Sequence, residues 1–320
     1  LKAKRGEKIV MILLGWGAFC CVYQVHFFIF KWWAHYAMQF TLGYWLLGLV
    51  FLCLNRERLM LYTFGVAALL CMCLKFMSNV GIEYPTKTNA PTLKIAHFNL
   101  SYIEEVPPFL QTLRQINADL ISVQETNPVW NKIFRDSLRR AYPYKCVVES
   151  LDLYSSGIYS KYPFVKCDTF YSGCIPNIVV QVRDTQYSKQ NIYIVSSYIA
   201  PPVYSSAYQD MQTQLKDISS YIENLKGAII TVGDYNIPPT FTELAFFRYS
   251  AKLNDSRRGY RPIHSDGHIS LLEVPMDHLF YSYHFQCIDF QTINGIKGER
   301  LGISGIYQFM QDSIYAGKKN

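Results

Sequence analysis

Ala228-Ile229-Ile230-Thr231-Val232-Gly233-Asp234-Tyr235-Asn236 is an apolar and β-branched run, then a glycine, then two polar side chains two positions apart. A short apolar run closed by a turn signal reads as a buried strand. Its exposed C-terminal end then presents a carboxylate, Asp234, and a carboxamide, Asn236. Taken alone, Gly-Asp-x-Asn can be no more than an Asx turn. The same grammar recurs elsewhere in the chain. Leu93-Lys94-Ile95-Ala96-His97-Phe98-Asn99 ends a strand on Asn99, and Leu120-Ile121-Ser122-Val123-Gln124-Glu125 ends another on Glu125. Downstream, Pro275-Met276-Asp277-His278-Leu279-Phe280 places Asp277 inside a strand.

From Leu93 onward strands and helices alternate. The patterning predicts helices over Pro107–Ile116, Trp130–Ala141, Ser205–Leu225 and Thr240–Phe247. In the third, Tyr208, Met211, Leu215, Ile218 and Ile222 recur every three or four residues, the mark of an amphipathic helix. Short runs split by Gly157, Pro163, Gly173 and Pro176 read as β-rich, Gln190–Ile199 as a strong strand, and Met276–Ser282, Phe285–Gln291 and Tyr307–Ile314 as closing strands. The layout predicts an α/β sandwich: two packed mixed β-sheets flanked by helices, over residues 93–320.

In their order the strand-end motifs resemble the endonuclease/exonuclease/phosphatase superfamily, which includes DNase I-like nucleases and inositol and lipid phosphodiesterases. Ser156-Gly157-Ile158-Tyr159-Ser160-Lys161-Tyr162-Pro163-Phe164 is similar to that family's Gly-hydrophobic-Ser-Arg-Tyr-Pro segment. The resemblance covers about residues 93–315. It implies hydrolysis of a phosphate ester with Mg²⁺ or another divalent cation held by Glu125 and Asn99. Asp234 would orient or deprotonate water, Asn236 would bond a phosphoryl oxygen, and Asp277 would belong to the catalytic set. Such chemistry needs hard oxygen ligands and a base.

Three departures stand against turnover. Tyr198 occupies the place of the family's first catalytic His. The family closes with Ser-Asp-His before its last strand, and the stretch matched to it here reads Ser304-Gly305-Ile306, without the Asp or the His. An imidazole trades protons near neutral pH; a phenol titrates far higher. The metal is therefore expected to bind weakly. Two function classes remain open: a metal-dependent phosphoesterase, and a catalytically impaired member used as a binding or scaffold module.

Other polar groups read more plainly. His264-Ser265-Asp266-Gly267-His268 is a polar loop, with a rebuilt catalytic site as the alternative. His97 and His278 read as packed or hydrogen-bonded, pointing away from the face of their motif neighbours. Arg257, Arg258 and Arg261 form a basic loop, solvated or touching an anionic group. Cys167 and Cys174 are spaced to bridge a hairpin.

The first 78 residues differ in kind. Ile9–Phe30, Tyr36–Leu54 and Leu59–Met77 read as three transmembrane helices, joined by Lys31–His35 and Asn55–Arg58. Gln24 and His26 read as polar contacts between helices. Residues 79–92, with Pro85 and Pro91, form a linker. The basic residues Lys2, Lys4, Arg5, Lys8, Arg56 and Arg58 put the N-terminus and second loop in the cytoplasm. The expectation is a multi-pass protein of the cytoplasmic (inner) membrane with an extracytoplasmic domain acting on a phosphate-containing small molecule or lipid headgroup. The net charge of +7 lies mostly in the membrane region, so the domain lacks the basic footprint of a nucleic-acid binder.

Overall fold

Two crossovers set the architecture. β1 (Thr92–Asn99) pairs in parallel with β2 (Leu120–Gln124), and β7 (Ile192–Ser196) with β8 (Ala228–Asp234). Parallel neighbours need a long connection, supplied by α5 (Val106–Ile116) and α7 (Ser205–Glu223). The structure, a computed structural model, describes residues 5–23, 28–78, 85, 88–103, 105–150, 152–182, 191–257, 274–295 and 298–310.

The first sheet runs β11 (Phe285–Asn294), β12 (Arg300–Phe309), β1, β2, β4 (Ser156–Ser160), β3 (Tyr144–Val148). The second runs β5 (Phe164–Ser172), β6 (Ile175–Val182), β7, β8, β10 (Asp277–Ser282), β9 (Leu253–Asp255). Their inner faces share a core that includes Ile95, Leu120, Ile158, Ile194, Ile230 and Leu279. α7 and α8 (Thr242–Ser250) cover the second sheet; α5 and α6 (Pro128–Leu138) cover the first. α7 buries Tyr208, Met211, Leu215, Ile218 and Ile222, as its periodicity requires. The expected two-sheet sandwich is the one observed.

Three expectations are corrected. The last strand starts at Arg300, seven residues before the expected Tyr307. The disulfide joins Cys146 to Cys167 across 5.9 Å between Cα atoms, and Cys174 is exposed and free. It clamps edge strand β3 of one sheet to edge strand β5 of the other, a pairing that sequence proximity cannot reveal. The third concerns the membrane region.

That region comprises α1 (Arg5–Val22), α2 (Phe28–His35), α3 (Ala37–Cys53) and α4 (Glu57–Ser78). Among the described residues one helix, Glu57–Met77, is long and apolar enough to cross a bilayer, with a mean hydropathy of 1.9. The expected first span is divided: α1 ends at Val22, and α2 runs straight through the expected turn at Lys31–His35. Arg5, Glu7 and Lys8 occupy the first turn of α1. Its apolar part, Ile9 to Val22, therefore spans only about 21 Å of a hydrocarbon core about 30 Å thick. α3 is 17 residues long. Gln24 and His26 lie outside the described residues.

α2 is packed on the domain. Lys31 Nζ lies 2.7 Å from Glu243 Oε1 on α8, and both side chains are largely buried. Tyr208 donates to the same carboxylate. At the far end of the helices, Arg56 and Arg58 approach Glu7 at 3.7 and 4.0 Å.

Candidate active site

The polar strand ends converge where β1, β2 and β8 finish. Asn99 Nδ2 donates to Glu125 Oε1 at 2.8 Å and to Asp234 Oδ2 at 3.0 Å, so one amide group bridges two carboxylates. Its Oδ1 accepts from the Ser101 backbone N–H at 3.0 Å and the Ser101 hydroxyl at 2.7 Å. Asp234 Oδ1 accepts the Asn236 backbone N–H at 2.9 Å, an Asx turn that aims Asn236 back at the site. Asn236 Nδ2 donates to the Ile199 carbonyl at 2.9 Å, and the same carboxamide hydrogen-bonds the Tyr198 phenol.

The backbone is bent to achieve this. Glu125 and Asn236 are both left-handed, with φ of 53° and 51°. A non-glycine residue there costs on the order of 1–3 kcal/mol, and such strain clusters at functional sites. Gly233 lies so close to Ser197 that a Cβ would strike its carbonyl oxygen.

Electrostatics follow from burial. Desolvation, with the charges of Asp277 and Glu125, pushes the Asp234 carboxyl up from 3.8 to about 7. Burial, with Glu125 and Asp234 nearby, also raises the Tyr198 phenol. Asp277 is held by two guanidinium groups and faces a histidine. Its Oδ2 accepts from Arg300 at 2.8 Å, its backbone carbonyl accepts from Arg257 at 2.6 Å, and Oδ1 lies 3.7 Å from His97 Nε2. Five sequence-derived residues (Asn99, Glu125, Tyr198, Asp234 and Asn236) thus form one contiguous cluster, and Asp277 acts on Asp234 through its charge.

His278 is fully buried, bonded to the Ile237 carbonyl at 2.9 Å and to Arg257 at 3.2 Å. This matches the expected packing role. His97 is buried too, with Nδ1 3.1 Å from Ser122 Oγ. It stands two residues before Asn99, so strand alternation puts it on the same face as Asn99, which corrects the expected orientation. Burial pushes it down to about 4, so it is neutral at pH 7. Arg257 enters the site, whereas Arg258, Arg261 and the His264–His268 segment lie outside the described residues.

The final strand is registered differently from the expected match. Gly305 pairs with Ile95 and Ile306 with Lys94, in the middle of β1. Asn99 lies four residues further along, about 13 Å away at the usual rise. The catalytic end of β12 is its beginning, Arg300-Leu301-Gly302, with Gly302 opposite Phe98. Gly305 and Ile306 therefore remove nothing from the site, which receives Arg300 at that edge.

Sequence reasoning missed Arg300, Ser101 and Gln124. Gln124 Oε1 accepts the Asp234 backbone N–H at 2.8 Å, tying the two sheets together beneath the site. A polar residue inside the otherwise apolar run before Glu125 was its signal, and the Asn-x-Ser spacing was that of Ser101.

Glu125 and Asp234 offer oxygen toward a cation, which suits a hard divalent ion. Asn99, expected as a metal ligand, instead turns its amide N–H between the two carboxylates and gives its oxygen to Ser101. Among the described residues no cluster of three or more His, Cys, Asp or Glu has metal-site geometry.

A two-sheet α/β sandwich with carboxylates and carboxamides gathered at the ends of its parallel strands defines a hydrolase-like fold. The model described as Endonuclease/Exonuclease/phosphatase family matches residues 96–295, and the chain belongs to that family. Among solved structures, TDP2 from D. rerio complexed with single-strand DNA product is similar at a TM-score of 0.55 and 16% identity, over 68% of this chain and 99% of that one. The human Nocturnin catalytic domain with bound sulfate gives 0.51 and 12%, over 69% and 96%. A family protein from Bacteroides thetaiotaomicron gives 0.51 and 13%, over 70% and 100%. At these identities the likeness concerns the fold. No curated protein matches the chain by sequence.

Proposed function

We propose that this chain is a membrane-tethered phosphoesterase-type hydrolase whose domain acts, outside the cytoplasmic membrane, on a phosphate ester or lipid headgroup. The observation that carries the reading is the Glu125–Asn99–Asp234 bridge: two carboxylates focused on one point, one of them buried and kept reluctant to ionise. Mg²⁺ or a similar ion held by Glu125, with the Asn99 amide fixing that carboxylate, would supply charge for the phosphoryl oxygens. Asp234 accepts a proton from water near neutral pH, while Asn236 and Tyr198 offer hydrogen bonds to the ester. A binding role without turnover remains the second reading, favoured by Tyr198, a phenol raised above its ordinary range.

The tether is supported by apolar side chains facing outward along the helices, including Leu13, Trp16, Leu46, Leu61 and Phe76. The sidedness rests on two contacts. Glu7 meets Arg56 and Arg58 at one end, and Lys31 meets the domain at the other. The Cys146–Cys167 disulfide suits an oxidising compartment. Protease added to spheroplasts should remove the domain; its survival would overturn the sidedness.

The activity test uses the full chain in detergent with bis(p-nitrophenyl) phosphate and p-nitrophenyl phosphate in Mg²⁺ or Mn²⁺. Slow hydrolysis lost in Asp234→Ala is expected. Hydrolysis indifferent to both Asp234→Ala and Glu125→Ala, or none at all, would establish the binding reading.

A further inference from the structure

The membrane-side helix α2 ends in a wall. A cavity of about 250 Å³ lies between it and the domain, lined by His35 and Tyr36 on one side and by Pro202, Val203 and Phe241 on the other. Asn236 lines it as well, so the cavity opens on the candidate active site. Its surface is predominantly apolar. The buried Lys31–Glu243 ion pair holds this wall in place, and a buried pair is costly to leave half-made. Of the cavity lining, Val203 is 61% exposed and its neighbour Tyr204 59%, and α8, which follows the lining residue Phe241, exposes Phe246 and Tyr249 at 73% and 83%. α8 also touches α4, the helix long enough to span a bilayer. Exposed aromatics beside a spanning helix suit the headgroup layer, where amphipathic rings concentrate.

We infer that this cavity seats the apolar stem of a membrane-lipid phosphate ester, with α2 forming one wall of the substrate site and the phosphate placed toward Asn236. The inference rests on the phosphoesterase reading for the phosphate end alone. The volume is below that of pockets that engulf a drug-sized ligand, about 300–1,000 Å³. It therefore fits the segment next to a headgroup, with the remaining chain left in the bilayer. A water-soluble phosphate ester would leave this apolar surface uncovered, so the cavity favours the lipid source.

The test uses the full chain carrying Asp234→Asn, reconstituted in phosphatidylcholine nanodiscs doped with a phosphatidylglycerol bearing a photoactivatable diazirine near its glycerol. Adducts located by mass spectrometry are expected on Tyr36, Val203 or Phe241. Val203→Trp, a change at an exposed position, should reduce the adducts on Tyr36 and Phe241 at least tenfold. Adducts confined to the outward faces of α1, α3 and α4, or unaltered by Val203→Trp, would overturn the inference. Crosslinking needs no turnover. If the parent chain hydrolyses bis(p-nitrophenyl) phosphate and the cavity adducts are missing, the lipid seat fails and the hydrolase reading stands. If cavity adducts form and neither ester is hydrolysed, the hydrolase reading fails and the lipid seat stands.

Discussion

Asp234→Asn is expected to make the metal-free protein more stable at pH 8. In the folded chain this carboxyl is pushed from 3.8 to about 7 by burial and by the charge of Asp277. A raised carboxyl pKa means that the folded state holds the proton more tightly than the unfolded state does. Its stabilising contribution is complete below 3.8 and is lost as pH climbs through about 7. The difference of roughly three pKa units corresponds to a strain on the order of 4 kcal/mol in the ionised state. Asparagine removes that charge. It still accepts the Asn236 backbone N–H through its carbonyl oxygen, but it presents an amide to the Asn99 amide, so one hydrogen bond worth about 1 kcal/mol is lost.

The net gain is then about 3 kcal/mol, a Tm rise of roughly 6–12 °C for a domain of this size. Thermal unfolding of the full chain in detergent with EDTA, at pH 8 and at pH 6, reads the effect. The gain should shrink at pH 6, where the parent carboxyl is already protonated. An equal gain at both pH values, or a fall at pH 8, would show that Asp234 is not strained in the way the site geometry requires.

Gly305→Asp with Ile306→His should leave Mg²⁺ binding unchanged by calorimetry and lower stability by about 1–3 kcal/mol, because the new Cβ at 305 meets the Tyr307 ring; tighter Mg²⁺ binding would refute the register of β12. Cys146→Ser should lower Tm by roughly 5–10 °C while Cys174→Ser leaves it in place, since only the first opens a cross-link. His97, neutral in the fold with its pKa moved from 6.5 to about 4, contributes stability that is present above 6.5 and lost as pH falls toward 4, on the order of 3 kcal/mol; His97→Gln should flatten that acid limb in a denaturation series. Mg²⁺ at low millimolar concentration should barely move Tm, because few charged ligands converge and stabilisation grows only as a logarithm; micromolar affinity lost in Glu125→Gln would reveal a further ligand.

The strand-end residues were legible because an apolar strand must stop where its backbone reaches water, and a polar side chain there is conspicuous. Asn99, Glu125 and Asp234 each end such a run, and all three meet. The last strand hid for the converse reason. β12 is buried at most of its positions, so the period-two signal is absent, and Gly302 and Gly305 read as loop. Both glycines are required by close packing: a Cβ at Gly302 would strike the His97 carbonyl, and one at Gly305 the Tyr307 ring. The disulfide and the docking of α2 are long-range contacts with no local trace. An unbroken apolar stretch likewise cannot tell a spanning helix from two shorter ones, so the sequence of α1 and α2 reads as a single crossing and a turn.

Correcting that register changes the chemical deficit. With Ser304-Gly305-Ile306 aligned to the site, an acid and an imidazole had been lost together. With Arg300 at the edge, the site keeps a cation, bonded to Asp277 at 2.8 Å. A guanidinium can neutralise charge developing on a phosphoryl group, but it stays protonated at every accessible pH and cannot pass a proton. His97 and His278, both buried and held neutral, are poor candidates for that task. Proton handling therefore falls to Asp234, whose carboxyl is shifted toward neutrality. A site able to stabilise charge but left with one proton acceptor should bind a phosphate ester better than it cleaves one. That is why the slow hydrolysis expected of this protein should be sensitive above all to Asp234.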